Sequence, residues 1–309
     1  GVGGAYFWAR AAARPGGGWR GEDPMHLGAD LGDLPRPMPT VGHNDVAYVL
    51  ACYAERASNV ATIREACLSS ACSLVRTTRP RNLIMMVDAL MDRAIGAALR
   101  RNGVSVVQVP DVNVSRIERD EATWTAIRKR KRAIPLELYS TKKFFAWTFT
   151  KYSKVLHADG TDVLFLRNAS ALAGYEPFAS IRLPRDTKRC HGRDYLNAGI
   201  LLLKPSMEAY RLLLETYYRG NYSRCGGSDG GLGNQDVIRE FAAQPRSILG
   251  TWHAWPLCFN YRGWKEQDAR ACPERERILI HQSPMPAWTK GRVKWLARLA
   301  VQGRCAKDR

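Results

Sequence analysis

Between Val46 and Val109 three short apolar runs alternate with two stretches of helical periodicity, and no other feature limits the fold as strongly. Val46 to Ala51 reads as a buried strand, Ala61 to Val75 as a helix, and Leu83 to Val87 as a second strand. Ala89 to Arg101 reads as a second helix, closed by Asn102-Gly103, and Val104 to Val109 as a third strand. Strands separated by helices pair through crossover connections, which predicts an α/β, Rossmann-like domain with a mostly parallel central sheet. Ligands of such sheets bind outside the carboxyl ends of the strands, so the turn around Leu50 to Tyr53 marks the functional edge. No G-x-G-x-x-G or Walker loop follows the first strand, which argues against a dinucleotide dehydrogenase or a P-loop enzyme.

With 309 residues, 45% of them hydrophobic, the chain is long enough for one large domain with a well-buried core. Residues 1–44 are rich in Gly, Pro, Ala and Arg and read as a flexible linker or stem, leaving 45–309 as the folded domain. Lys and Arg exceed Asp and Glu by 47 to 29, a net charge of +18, so anionic ligands are favoured. The densest basic run, Arg128 to Arg132, lies inside the domain without interleaved aromatics, unlike a nucleic-acid groove. No nucleic-acid partner is therefore expected, although a basic polyanion-binding module remains a competing reading. Eight cysteines without a C-x-x-C pair argue against structural zinc and permit disulfides. Asn113, Asn168 and Asn221 each open an N-x-[ST] triplet, which fits a secretory chain in the Golgi lumen, with the cytoplasm as the alternative. No apolar run reaches 18 residues, so membrane attachment is expected only through a segment outside this chain.

Downstream of the alternation, Phe144, Phe145, Trp147 and Phe149 read as a helix packed on the sheet. Val155-Leu156 and Val163 to Leu166 are β-prone runs, and between them stand Asp159, Gly160 and Asp162. Two carboxylates at a strand break suit a hard divalent cation, since the sheet holds the oxygen ligands still. Ala171 to Pro177 reads as a short helix and Arg185 to Arg193 as a basic loop. Asn197-Ala198-Gly199 feeds the apolar run Ile200 to Leu203, which puts Asn197 at a cleft edge and Gly199 where a ligand approaches closely. Met207 to Tyr218 reads as a helix with Tyr210, Leu213, Leu214 and Tyr217 on its apolar face. A glycine cluster, Gly226 to Gly231, leads to Gly233-Asn234-Gln235-Asp236 before an apolar helix. Ile278 to His281 reads as a strand ending in a histidine, and the tail holds an amphipathic helix with Trp295, Leu296 and Leu299.

The block Thr141-Lys142, Trp147, Thr150, Tyr152 to Val155, the two aspartates, Val163-Leu164 and Asn168 resembles the centre of family-8 glycosyltransferases, the glycogenin and galactinol synthase group. There it reads roughly T-K-x-x-x-W-x-L-T-x-Y-x-K-V-x-x-x-D-x-D-x-x-V-L-x-N. This chain has D-G-T-D, one residue longer than D-x-D, so either both carboxylates reach one metal or one acts through water. The resemblance extends to N-x-G at Asn197 to Gly199, to the D-Q region at Asn234 to Asp236, and to Trp255 to Tyr261. It extends also to an eroded H-x-x-G-x-x-K-P-W segment at His281 to Trp288, where Pro284 replaces Gly and Ala287 precedes Trp288.

The resemblance implies a single GT-A domain that retains configuration while moving a hexose from a UDP-sugar to a hydroxyl of a glycan or protein acceptor. It implies Asp159, Asp162 and His281 as ligands of Mn²⁺ or Mg²⁺, and Lys142 with Lys290 or Arg292 as charges facing the diphosphate. Asn197 and Gly199 then border the donor, Asn197, Gln235 and Asp236 orient the sugar, and Asn234, Gln235 and Asp236 are the catalytic candidates. A degenerate relative that binds UDP or glycan without catalysis is the competing reading, motivated by the longer acidic turn, Asn234 and Pro284.

Overall fold

The computed structural model describes residues 46–54, 57–111, 113, 116, 118, 141–183, 195–220, 234–242, 244, 247–261, 272–281 and 289–306. The chain divides into two units, Gly1–Arg36 and Pro37–Arg309, and all described residues belong to the second. The expected stem over 1–44, the basic run at 128–132, the loop at 185–193, the glycine cluster, Gly233, the Asn221 triplet and residues 282–288 with Pro284 and Trp288 lie outside the described residues.

The expected alternation is present. β1 (Val46–Cys52), α1 (Val60–Thr78), β2 (Asn82–Val87), α2 (Ala89–Arg101) and β3 (Ser105–Gln108) follow one another, and β1, β2 and β3 pair in parallel. Each helix is closed by its own chemistry. The Asp88 carboxylate caps α2 by accepting from the Met91 N–H, and Arg79 ends α1 in a left-handed conformation.

β4 (Lys154–Asp159) then pairs in parallel with the other side of β1, so the chain reverses direction across the sheet between β1 and β4. A crevice at such a reversal is where open α/β sheets place ligands. β6 (Ala179–Leu183), β7 (Tyr195–Leu196), β8 (Ile200–Leu203) and β9 (His253–Trp255) complete the sheet in the order β3-β2-β1-β4-β8-β6-β7, with β9 beside β6. β8 runs antiparallel to β4 and to β6, and β6 antiparallel to β7; the remaining pairings are parallel. β5 (Val163–Phe165) leaves the main sheet and pairs antiparallel with β10 (Leu279–His281).

Alternation of side chains across the strands divides the core. Tyr48, Leu50, Cys52, Leu83, Met85, Val87, Leu156 and Ala158 face the layer of α1, α2 and the terminal helix α6 (Lys290–Val301). The aromatic segment Lys142–Thr148 is a buried 3-10 helix, seated with α4 (Met207–Arg219) through edge-on contacts of Phe144 with Tyr217 and Phe145 with Tyr210. The short α3 (Ser170–Ala173) and α5 (Asn234–Ala242) complete the helices. Trp295 departs from the expected apolar face: it is 47% exposed, with the Arg76 guanidinium 5.0 Å from its ring centroid. The buried stripe is Leu296, Ala297, Leu299 and Ala300, which turns Trp295 outward.

Three disulfides are present among the described cysteines. Cys52–Cys67 ties the end of β1 to α1, Cys72–Cys305 ties α1 to the segment after α6, and Cys258–Cys272 brackets Asn260 and Tyr261. Among the described residues no helix is long and apolar enough to cross a membrane.

Candidate functional site

The acidic turn follows directly from the strand pairing. Asp159 is the last residue of β4 and lies opposite Ala51 of β1, while its N–H donates to the Gly199 carbonyl across the sheet at 2.8 Å. Gly160 then folds back on β1, its N–H donating to the Ala51 carbonyl at 2.7 Å. A Cβ at Gly160 would sit 2.8 Å from that oxygen, so only glycine turns here.

Asp162 immediately precedes β5, and in the β5–β10 ribbon His281 pairs opposite Val163. That register brings the imidazole beside Asp162, with Nε2 3.4 Å from Oδ2. One ligand atom from each of Asp159, Asp162 and His281 lies within 4.8 Å of the others. The longer D-G-T-D turn therefore still delivers both carboxylates to one place.

His281 is itself held on both sides. Its N–H donates to the Tyr261 carbonyl at 2.9 Å, and its Nδ1 lies 3.1 Å from Asn260 Oδ1. On the other face it lies over Gly199, where a Cβ would stand 1.9 Å from the ring's Cε1. The expected close approach at Gly199 is thus made by the histidine.

Lysine reaches the cluster from the 3-10 helix. Lys143 Nζ lies 3.1 Å from Asp159 Oδ2 and donates to the Ala198 carbonyl at 3.1 Å. Burial pushes the Asp159 carboxyl above its ordinary range and Asp162 adds to this, while Lys143 and His281 oppose it. A divalent cation relieves both penalties, and the set of two carboxylates and one imidazole fits such an ion. Burial also pushes the Tyr53 hydroxyl well up, with Asp159 adding to the effect, which puts that phenol beside the cluster at the end of β1.

The other expected residues are placed as follows. Lys142 is buried and pairs with Asp111 at 2.5 Å, its Nζ 5.4 Å from the centroid of the Tyr53 ring. Asn197 Oδ1 accepts from the Gly199 N–H and from Asn260 Nδ2, both at 3.1 Å. Gln235 Oε1 accepts from the Ala198 N–H at 2.9 Å and ties α5 to the Asn197 to Gly199 turn. Asp236 pairs with Arg239 at 2.8 Å, both buried, and Asn234 Oδ1 is buried without a hydrogen-bond partner among the described residues. Lys290 is exposed at the start of α6, without a hydrogen bond or ion pair to the cluster. Burial and the Arg76 guanidinium push the Arg292 pKa down. Arg76 lies in the last turn of α1, which leads away from the β1 carboxyl end toward the start of β2, at the edge opposite the acidic turn.

Sequence reasoning passed over Lys143 in favour of Lys142. The spacing held a signal: in T-K-x-x-x-W, counting back four residues from Trp147 lands on Lys143. Asn260 lies in the Trp255 to Tyr261 segment that shares the resemblance, and nothing in its local sequence announces contact with His281.

No family model matches the chain, and no curated protein matches it. Among solved structures it resembles the WbbM bifunctional glycosyltransferase, at 11% identity and a TM-score of 0.53, over 87% of this chain and 53% of that one. It also resembles the glycosyltransferase GlyE of Streptococcus pneumoniae TIGR4, at 12% identity and a TM-score of 0.51, over 86% and 64%. Mouse xyloside xylosyltransferase 1 aligns at 16% identity over 77% and 97%, with a TM-score of 0.48. The chain thus spans about half of the first protein and just under two thirds of the second. At these identities the likeness is one of fold, the α/β architecture of GT-A glycosyltransferases.

Proposed function

We propose that this GT-A domain is a metal-dependent, retaining glycosyltransferase that moves a hexose from a UDP-sugar to an acceptor hydroxyl. The observation that carries the reading is the convergence of Asp159, Asp162 and His281 at the edge where the sheet reverses direction. Its support beyond geometry is the fold and the family-8 resemblance of the segments that supply those residues.

Asp159, Asp162 and His281 would hold Mn²⁺ or Mg²⁺, the imidazole tilting the preference toward Mn²⁺. A cation bound there supplies Lewis-acid stabilisation to the departing diphosphate. The chain's own residues set the stage for that charge. Lys143 keeps Asp159 in position and adds fixed positive charge at the same edge. Lys142, seated over the Tyr53 ring, lends a second cation at the end of β1. The unpartnered Asn234 Oδ1 is an acceptor for a sugar hydroxyl, and Gln235 holds the Asn197 to Gly199 turn in register. Asp236 is held in the first turn of α5 by its ion pair with Arg239. Three disulfides fit an oxidising compartment, the Golgi lumen being the proposed residence.

A screen of UDP-glucose, UDP-galactose, UDP-N-acetylglucosamine and UDP-glucuronate for hydrolysis with Mn²⁺ tests the reading. Turnover of one donor that is lost with EDTA or in Asp162→Ala supports it. UDP binding without turnover of any donor, with or without acceptor glycans, identifies the degenerate reading instead.

A further inference from the structure

We propose that Asn260 is a positioning residue that fixes the tautomer of His281, acting in a polar relay that starts at the Gly199 backbone. The inference rests on the metal reading only for its functional consequence. The relay itself is a matter of donors and acceptors.

The Gly199 N–H can only donate, so the Asn197 atom 3.1 Å from it is the oxygen. That same oxygen faces Asn260 at 3.1 Å, so the Asn260 atom there is the amide nitrogen. The remaining Asn260 atom is then its oxygen, and it lies 3.1 Å from His281 Nδ1. An oxygen accepts, so Nδ1 must carry the proton. Nε2 is left with its lone pair directed toward the carboxylates, 3.4 Å from Asp162 Oδ2, as a metal ligand requires.

Reversing the polarity would set the Asn197 amide nitrogen against the Gly199 N–H, two donors facing each other in a buried site. Asn197, Asn260 and His281 are all at most 4% exposed, so water does not rescue the reversed arrangement. The backbone enforces the placement as well. The His281 N–H bonds the Tyr261 carbonyl and the Ile278 N–H bonds the Cys258 carbonyl at 3.1 Å, which keeps Asn260 alongside the last residue of β10. Asn197 cannot then accept from a sugar, since both lone pairs of its oxygen are committed; only its amide nitrogen is left, to donate to an acceptor oxygen.

The test is long-range ¹H–¹⁵N NMR of histidine-labelled, metal-free protein at alkaline pH, together with Mn²⁺ titration calorimetry. The wild-type His281 resonances are expected to show the Nδ1–H tautomer. In Asn260→Leu the nearest acceptor becomes Asp162, so the proton moves to Nε2 and Mn²⁺ affinity falls by about 10- to 100-fold. Asn197→Asp keeps the oxygen acceptor and is expected to retain the wild-type tautomer, which separates the relay from general loss of packing. An Nε2–H wild type, or Asn260→Leu with unchanged tautomer and affinity, overturns the proposal. If the tautomer switches as expected while the wild type binds no Mn²⁺, the relay stands and the metal reading fails.

Discussion

Replacing Gly199 with alanine places a methyl where the imidazole of His281 now lies. The added Cβ would stand 1.9 Å from Cε1, 2.5 Å from Nε2 and 3.0 Å from Nδ1. The ring must therefore retreat by about 1.5 Å to regain an ordinary contact of 3.4 Å. The His281 backbone is pinned by β5 and by the Tyr261 carbonyl, so the ring turns away from the carboxylates before the strand shifts. Displacements of about 1 Å at such sites cost about 100-fold in function, and bonding distances tolerate only about 0.2 Å. Mn²⁺ affinity is expected to fall by at least that factor, about 2.7 kcal/mol, while overpacking lowers stability by about 1–3 kcal/mol. Calorimetric titration with Mn²⁺ beside a thermal melt separates the two effects. Gly291→Ala is the matched control: its Cβ meets nothing within 4 Å, it lies in α6, and helix propensity adds about 1 kcal/mol. A Gly199→Ala protein that binds Mn²⁺ as the wild type does would refute the placement of His281.

Two further outcomes follow from buried charge. His157 is 1% exposed, both ring nitrogens lack partners among the described residues, and burial followed by Lys143 pushes its pKa well below 6.5. The unfolded chain then binds a proton in acid that the folded protein refuses. Stability is therefore complete above pH 6.5 and falls by about 1.4 kcal/mol per unit below it, down to the folded-state pKa. Urea melts across that range should show this slope flattened in His157→Leu, and an unaltered slope counts against the assignment. Lys143→Met removes the cation bonded to Asp159 and should destabilise the metal-free protein by about 2 kcal/mol. Mn²⁺ should restore much of that loss, because it replaces the missing positive charge; a melt insensitive to Mn²⁺ speaks against a shared site.

The parts of this protein legible in sequence are those fixed by local period and spacing. Ala89 to Arg101 was readable to the residue from its helical period and the Asn102-Gly103 that ends it, and the structure adds the Asp88 cap. The acidic turn was readable because carboxylates beside a glycine at a strand break are an unusual pattern. What sequence hides is the partner reached through a register. For Lys143 the spacing from Trp147 held a signal, but its contact with Asp159 is made only once the 3-10 helix is seated. Asn260 meets His281 through the Cys258 to Tyr261 segment running beside β10, a pairing with no periodic signal. Trp295 illustrates the converse: the presence of an amphipathic helix was readable, but its rotation is set by the α1 surface it packs on.

Anomalous scattering from crystals soaked in MnCl₂ and UDP locates the ion without reference to activity. A peak at about 2.0–2.3 Å from carboxylate oxygens of Asp159 and Asp162 and from Nε2 of His281 is the predicted result. A peak elsewhere, or bound UDP with no manganese between those three side chains, would contradict the account.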